Sequence, residues 1–364
     1  MPAWERIEGN LATPAGFRGA AVAAGIKKVE GSFDLALLVS DARETSAAGT
    51  FTTNLAAAAP VILCRKNLRA SGGRARAVVV NSGNANACTG RAGLRTAEQT
   101  ARAAAKLLGV PAQQVLVAST GVIGIPLRSE LILSQLPALK EMLSTQNASA
   151  FARAIMTTDT FPKSCVLRSE IEGKAVHLAG VTKGAGMIHP PNDSVMALAS
   201  GLAGVAARPG NKFGQHFFAG LTELCQTLAK MIARDGEGAS KLVTIEVLGA
   251  RNASDAERIA RSISNSPLVK TAIAGSDPNW GRIMCAAGYS GAKFDPTRAD
   301  ILVNHLFLCR NGLDAGFDEG AAKRELDQKE LTIRLDLHQG KGSARMWTCD
   351  FTRDYIDINA SYRT

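Results

Sequence analysis

The sequence predicts an α+β protein, a layered α/β sandwich with sheet packed on sheet and helices outside. Three observations predict it. Strand-like apolar runs recur along the whole chain. Helical stripes lie between some of them. The helices do not alternate one-for-one with the strands, as a doubly wound parallel fold would require.

The strand-like runs, in order, are FDLALLVSD (33–41), RAVVVNSG (76–83), QVLVAST (114–120), KAVHLAGV (174–181), KLVTIEVLG (241–249), ADILVNHLFLC (299–309) and LTIRLDLHQG (331–340). The last alternates. Leu331, Ile333, Leu335 and Leu337 share one face, and Thr332, Arg334, Asp336 and His338 the other, the mark of a half-buried antiparallel strand. Three helices are expected. One covers 91–108, with Leu94, Ala101, Ala105 and Leu108 on a stripe. A second covers 213–233 and stops at Arg234 and Gly236. A third opens at Ser254 with a capping box reaching Glu257.

A chain of 364 residues suits two domains of about 150 residues each, with a sub-domain boundary placed near 240. Hydrophobic residues make up 46 % and charged residues 20 %, ordinary values for a soluble globular protein. The longest apolar stretch, 195–207, falls short of the roughly 18 residues a membrane span needs. The start, MPAWERIEGN, lacks a basic patch followed by an apolar core, so no secretion signal is expected and the cytoplasm is the default location. Seven cysteines with scattered spacing and no CxxC read as reduced thiols, and no metal or cofactor is expected. The net charge of +10 has its densest run at 65–76 without interleaved aromatics. That reads as a solvated basic surface rather than a nucleic-acid footprint.

Several segments carry candidate chemistry, each with a plainer alternative. NSGNANACTG (81–90) offers backbone amides for a carboxylate or carbonyl, or is a strand–helix connector capped by Thr89, with Cys88 a small buried thiol. STGVIG (119–124) sets the Thr120 hydroxyl beside the Gly121 N–H, a pair suited to a tetrahedral oxyanion, or is a glycine turn. TTDTFPK (157–163) packs hydroxyls, an acid and a lysine together, or ends a helix at Pro162. DGEGASK (235–241) presents Glu237 in an exposed, glycine-flanked setting, for a substrate ammonium or as a solvated turn. SDPNWGR (276–282) reads as a type I turn with a packed Trp280. The loop KGAGMIHPPNDSVMALASG (183–201) carries Lys183 and then Ser194, which is either a nucleophile or a helix cap.

The ordered set NSGNANACTG, STGVIG, TTDTFPK, KGAGMI, RDGEGASK, KTAIAGSDPNWGR and INASYRT resembles the bifunctional ornithine acetyltransferase / glutamate N-acetyltransferase family of arginine biosynthesis, nearly end to end. The resemblance implies acyl transfer from N2-acetylornithine to glutamate through a covalent acyl-enzyme, by a chain that cleaves itself before its nucleophile and uses the freed α-amine as base. It implies that Thr120 and Gly121 form the oxyanion hole and that Thr157, Lys183, Glu237, Asn359 and Thr364 contact substrate. It implies an α-chain-like part, 1–193, a β-chain-like part, 194–364, and a homo-oligomer or a heterotetramer of cleaved chains. Partners are the small-molecule substrates, with no nucleic acid and no membrane.

The chain departs from the family at the nucleophile. In one register Ser194 takes the nucleophile position, with cleavage at Asp193–Ser194. In the other, NDSVMALASG matches a later family stretch, some 30 residues or more are missing, and Ser194 caps a helix. The first register gives an N-terminal-nucleophile transferase. The second gives a relative that keeps the amino-acid pocket without turnover. An amidohydrolase of the same fold is a third expectation.

Overall fold

A computed structural model describes residues 2–186, 194–199 and 208–360. The chain divides into two compact units, Met1–Leu228 with Arg363–Thr364, and Ala229–Tyr362.

The first unit contains β1 (Glu5–Ile7), β2 (Phe17–Val22), β3 (Leu35–Ser40), α1 (Ala59–Ala70), β4 (Ala77–Asn84), α2 (Gly90–Leu108), β5 (Val115–Val122), α3 (Ser129–Glu141), α4 (Phe151–Ala154), β6 (Lys163–Ile171), β7 (Lys174–Lys183) and β8 (Ser194–Ala199). Helix α5 (Lys212–Arg234) follows. Two four-stranded sheets form, in the orders β2-β3-β4-β5 and β1-β6-β7-β8. Strand β3 explains the layering. All six of its residues are buried, which requires cover on both faces. Leu35, Leu37 and Val39 pack with Leu63 of α1, Ala97, Ala101 and Ala104 of α2, and Ile132 and Leu136 of α3. Ala36 and Leu38 pack with Val166, Ala179 and Val181 of the other sheet. On the far side of β7, a Cβ at Gly180 would lie 2.7 Å from Leu228 and 3.0 Å from Leu224. The missing side chain therefore lets α5 sit directly on the strand. The order is helices, sheet, sheet, helix, the predicted α+β sandwich.

The second unit contains β9 (Leu242–Ala250), α6 (Ala253–Asn265), α7 (Pro267–Ala274), α8 (Trp280–Gly288), β10 (Asp300–Val303), β11 (Leu306–Arg310), β12 (Leu313–Asp314), α9 (Glu319–Leu326), β13 (Glu330–Asp336), β14 (Gly342–Cys349) and α10 (Arg353–Ala360). Its sheet runs β12-β11-β10-β13-β9-β14. Val243, Ile245 and Val247 of β9 meet Ala256, Ile259, Ala260 and Ile263 of α6 in one core. Burial of each isoleucine there contributes about 1.5–3 kcal/mol.

Several expectations are corrected. The run 299–309 is two strands, because Asn304 takes φ 52° and turns the chain. Strand β13 buries its leucine–isoleucine face as expected, but it is antiparallel only to β10 and runs parallel to β9. The cap of α6 is Asn252, whose side chain accepts from the Asp255 N–H, so Ser254 already lies inside the helix. SDPNWGR opens helix α8, with Asn279 accepting from the Arg282 N–H. Thr89 stands at the start of α2 without capping it; its hydroxyl donates to Asn86 Oδ1 at 2.8 Å. Cys88 is exposed, not buried.

Candidate active site

Strands β4 and β5 run parallel and in register until Gly83 pairs with Gly121, where the ladder shifts at Asn84. Gly121 has φ 129°, and a Cβ there would lie 2.4 Å from the Gly83 carbonyl carbon. Only glycine fits, for both reasons. The asparagines of the 81–90 loop brace this turn. Asn81 donates to the Asn84 carbonyl at 2.9 Å, Asn84 to the Ile125 carbonyl at 3.0 Å and Asn86 to the Gly93 carbonyl at 2.9 Å. The loop connects β4 to α2, and Asn81 also accepts from the Ser119 hydroxyl of β5 at 2.6 Å.

Lys183 ends β7. Its ammonium donates to Thr157 Oγ1 at 2.6 Å and to Thr120 Oγ1 at 3.2 Å. Three predicted site residues are thus joined through one nitrogen, with Gly121 adjacent. Because both threonine oxygens accept from the lysine, each hydroxyl keeps its own proton for donation.

Beneath them sits Asp159, a residue sequence reading did not single out. Its side chain is fully buried, as is that of Lys163, whose ammonium donates to it at 2.6 Å. The Thr157 N–H reaches the same carboxylate at 2.9 Å and the Gly184 N–H at 2.8 Å, and the Lys183 ammonium lies 3.9 Å away. Burial works to raise the Asp159 pKa. The bonds from Lys163, Gly184 and Thr157 outweigh it and hold the carboxyl below the usual range. Asp159 therefore fastens the Thr157 segment to the end of β7, on either side of the Lys183 ammonium. The TTDTFPK spacing was a visible signal for it; its partner 25 residues on was not.

Ser194 opens β8 and is the ladder partner of Lys183. The helix-cap reading of Ser194 is therefore corrected, since the residue begins a strand. The preceding residues 187–193, including Asp193 of the expected cleavage site, lie outside the described residues, and so does Thr364.

The remaining expected contacts lie in the second unit. Glu237 is 8 % exposed, which corrects the exposed setting read from its glycine neighbours. Its Oε2 is buried without a hydrogen-bond partner. Asn359 is exposed on α10 and donates to the Tyr355 carbonyl at 2.9 Å. Among the described residues no group of acidic, histidine or cysteine side chains has the arrangement of a metal site. No helix among them is long and apolar enough to cross a membrane.

Fold and side chains together define a layered α+β protein whose strand ends bring the Lys183 ammonium against the Thr120 and Thr157 hydroxyls. The pattern of the ArgJ family matches residues 18–191 and 191–364. The chain belongs to the ArgJ family. It is 43 % identical to the arginine biosynthesis bifunctional protein ArgJ of Symbiobacterium thermophilum over 404 residues, covering 99 % of this chain and 100 % of the relative. The protein of the same name from Parasynechococcus marenigrum is 39 % identical over 398 residues, 99 % of this chain and 97 % of the relative. A crystal structure of ornithine acetyltransferase complexed with ornithine, from Mycobacterium tuberculosis, is 37 % identical over 53 % of this chain and 100 % of that chain, at a TM-score of 0.48.

Proposed function

We propose that this chain carries out acetyl transfer in arginine biosynthesis, from N2-acetylornithine to glutamate. Family membership supports the reaction. The observation that carries the site is the Lys183 ammonium, bonded to Thr157 and Thr120, directly across the ladder from Ser194.

In this reading the chain cleaves at Asp193–Ser194 and the new α-amine serves as base. Ser194 Oγ attacks the acetyl carbonyl carbon and its proton passes to the amine. The oxyanion is held by the Thr120 hydroxyl and the Gly121 N–H. The C–N bond breaks, ornithine leaves with that proton on its nitrogen, and an acetyl ester remains. The glutamate amine then attacks the ester, acetylglutamate leaves and Ser194 is restored. Lys183 and Thr157 bind substrate, as do Glu237, Asn359 and Thr364. The cleaved chains assemble as an oligomer, and the enzyme works in the cytoplasm.

A second reading is a relative that holds the amino acid without turnover. The alignment with the Symbiobacterium protein spans 404 positions against a chain of 364 residues, so at least 40 of that protein's positions have no counterpart here. The family pattern also breaks at residue 191, close to Ser194.

Acetyl transfer from N2-acetylornithine to glutamate, measured with wild type and Ser194→Ala, separates the two. The first reading expects turnover that falls at least about 10³-fold in the variant. Binding of acetylornithine with no turnover in either protein establishes the second.

A further inference from the structure

The Glu237 Oε2 has no hydrogen-bond partner to hold it, so its place is set by the backbone that carries it. That backbone is a turn, closed by the Ala239 N–H donating to the Gly236 carbonyl at 2.8 Å, with Gly238 at φ 69°. The glycines on either side of Glu237 lie against the stretch 349–355. A Cβ at Gly236 would lie 2.6 Å from Cys349 Sγ, and one at Gly238 would lie 2.4 Å from the Tyr355 N. From the same stretch, the Thr352 hydroxyl donates to the Gly238 carbonyl at 2.6 Å.

Asp350 ties down the exit of this turn. The residue is 1 % exposed. Its Oδ1 accepts from the Ser240 N–H at 2.9 Å and the Lys241 N–H at 3.0 Å, and its Oδ2 from the Ser240 hydroxyl at 2.5 Å. Hydrogen bonds to an ionised acceptor are roughly twice as strong as neutral ones. They fasten the residues just beyond Glu237 to the end of β14. The Lys241 ammonium anchors the same point to α7, donating to the Ile273 carbonyl and to Ser276 Oγ, each at 2.7 Å.

We infer that Asp350 is a positioning residue: through Ser240 and Lys241 it holds the turn so that the Glu237 carboxylate meets a ligand ammonium; on the reading given under Proposed function, that is the side-chain ammonium of N2-acetylornithine. A brace that only stabilises the fold and a brace that aims Glu237 differ in one readout, the preference for a ligand with an ammonium over its isostere without one.

Calorimetry with N2-acetylornithine and N2-acetylnorvaline, which lacks only the side-chain amine, tests this in wild type, Asp350→Ala, Asp350→Asn and Glu237→Gln. Wild type is expected to favour acetylornithine by about tenfold or more, the weight of one charge-assisted hydrogen bond. Asp350→Ala and Glu237→Gln are expected to lose that preference while binding acetylnorvaline as wild type does. Asp350→Asn is expected to keep it, because its amide oxygen accepts from the same two N–H groups and its NH2 donates to Ser240 Oγ. If Asp350→Ala does not fold, Ser240→Ala takes its place; it removes the hydroxyl bond alone and is expected to lose part of the preference. A preference left whole in the alanine variant, a preference lost in Asp350→Asn, or affinities that fall equally for both ligands overturns the inference. A second arm does not depend on the acetyl-transfer reading: propylammonium titrated against the carboxyl carbon resonance of Glu237. Shifts in wild type that persist in Asp350→Asn and vanish in Asp350→Ala support Asp350 even if acetylornithine does not bind, in which case the functional reading fails alone. Shifts absent from wild type, or unchanged in Asp350→Ala, overturn the inference.

Discussion

Asp159 and Glu237 are both buried carboxylates, one in each unit, and they are buried for opposite reasons. Asp159 has a lysine at 2.6 Å and two backbone N–H groups within 2.9 Å. Burial disfavours its charged form, but these bonds outweigh the burial, so it works as architecture. Glu237 keeps one oxygen buried without a partner. Such an oxygen costs about 1–3 kcal/mol of desolvation, and the proposed function gives it a substrate donor. The same residue chemistry is thus satisfied in one unit and left with an unpartnered oxygen in the other.

Breaking the brace has the largest expected effect on stability. Lys163→Met removes the nearer ammonium and leaves the Asp159 carboxylate with the two N–H groups and the more distant Lys183, and should lower stability by about 3–5 kcal/mol in urea unfolding. Adding Asp159→Asn to it should recover part of that loss, because the buried carboxylate charge is then removed.

A pH series sharpens the same point. The folded Asp159 carboxyl lies below its ordinary value. It therefore binds its proton more weakly when folded than when unfolded. Its stabilising share is present above the unfolded value of about 3.9 and is lost as pH falls through the lower folded value. The stability gap between wild type and Asp159→Asn should narrow as pH is taken from 6 towards 2. A gap that stays constant would contradict the charge-based account.

Glu237→Gln should move the other way from the brace variants. Its stability in urea should change by less than about 1 kcal/mol, since no partner is lost, while affinity for acetylornithine should drop about tenfold or more. A large stability loss with unaltered affinity would make Glu237 architectural too. The smallest effect belongs to α6. Asn252→Ala should cost about 1 kcal/mol, and Ser254→Ala should cost close to nothing, because the cap lies at 252; thermal unfolding reads both.

Much of the fold is legible in the sequence. Six of the apolar runs lie on single strands with ends close to those expected, because uninterrupted apolar stretches flanked by Gly, Asn or Asp leave few alternatives. The run 299–309 misled because the polar pair Asn304-His305 also suits one half-exposed strand, whereas Asn304 takes the left-handed region and turns the chain. The site was legible as motifs: Thr120, Thr157 and Lys183 do meet. What escaped was everything set by partners distant in sequence. Asp159 finds Gly184 25 residues on. Glu237 looked exposed because glycine neighbours suggest a surface turn, yet a Cβ at Gly238 would lie 2.4 Å from the Tyr355 N, so the segment packs closely against α10.

The most direct test of the acetyl-transfer account is the intact mass of the purified protein before and after incubation with N2-acetylornithine. The account predicts two fragments, the second beginning at Ser194, and the mass of one acetyl group added to that second fragment alone. A single uncut chain whose mass does not change would contradict it.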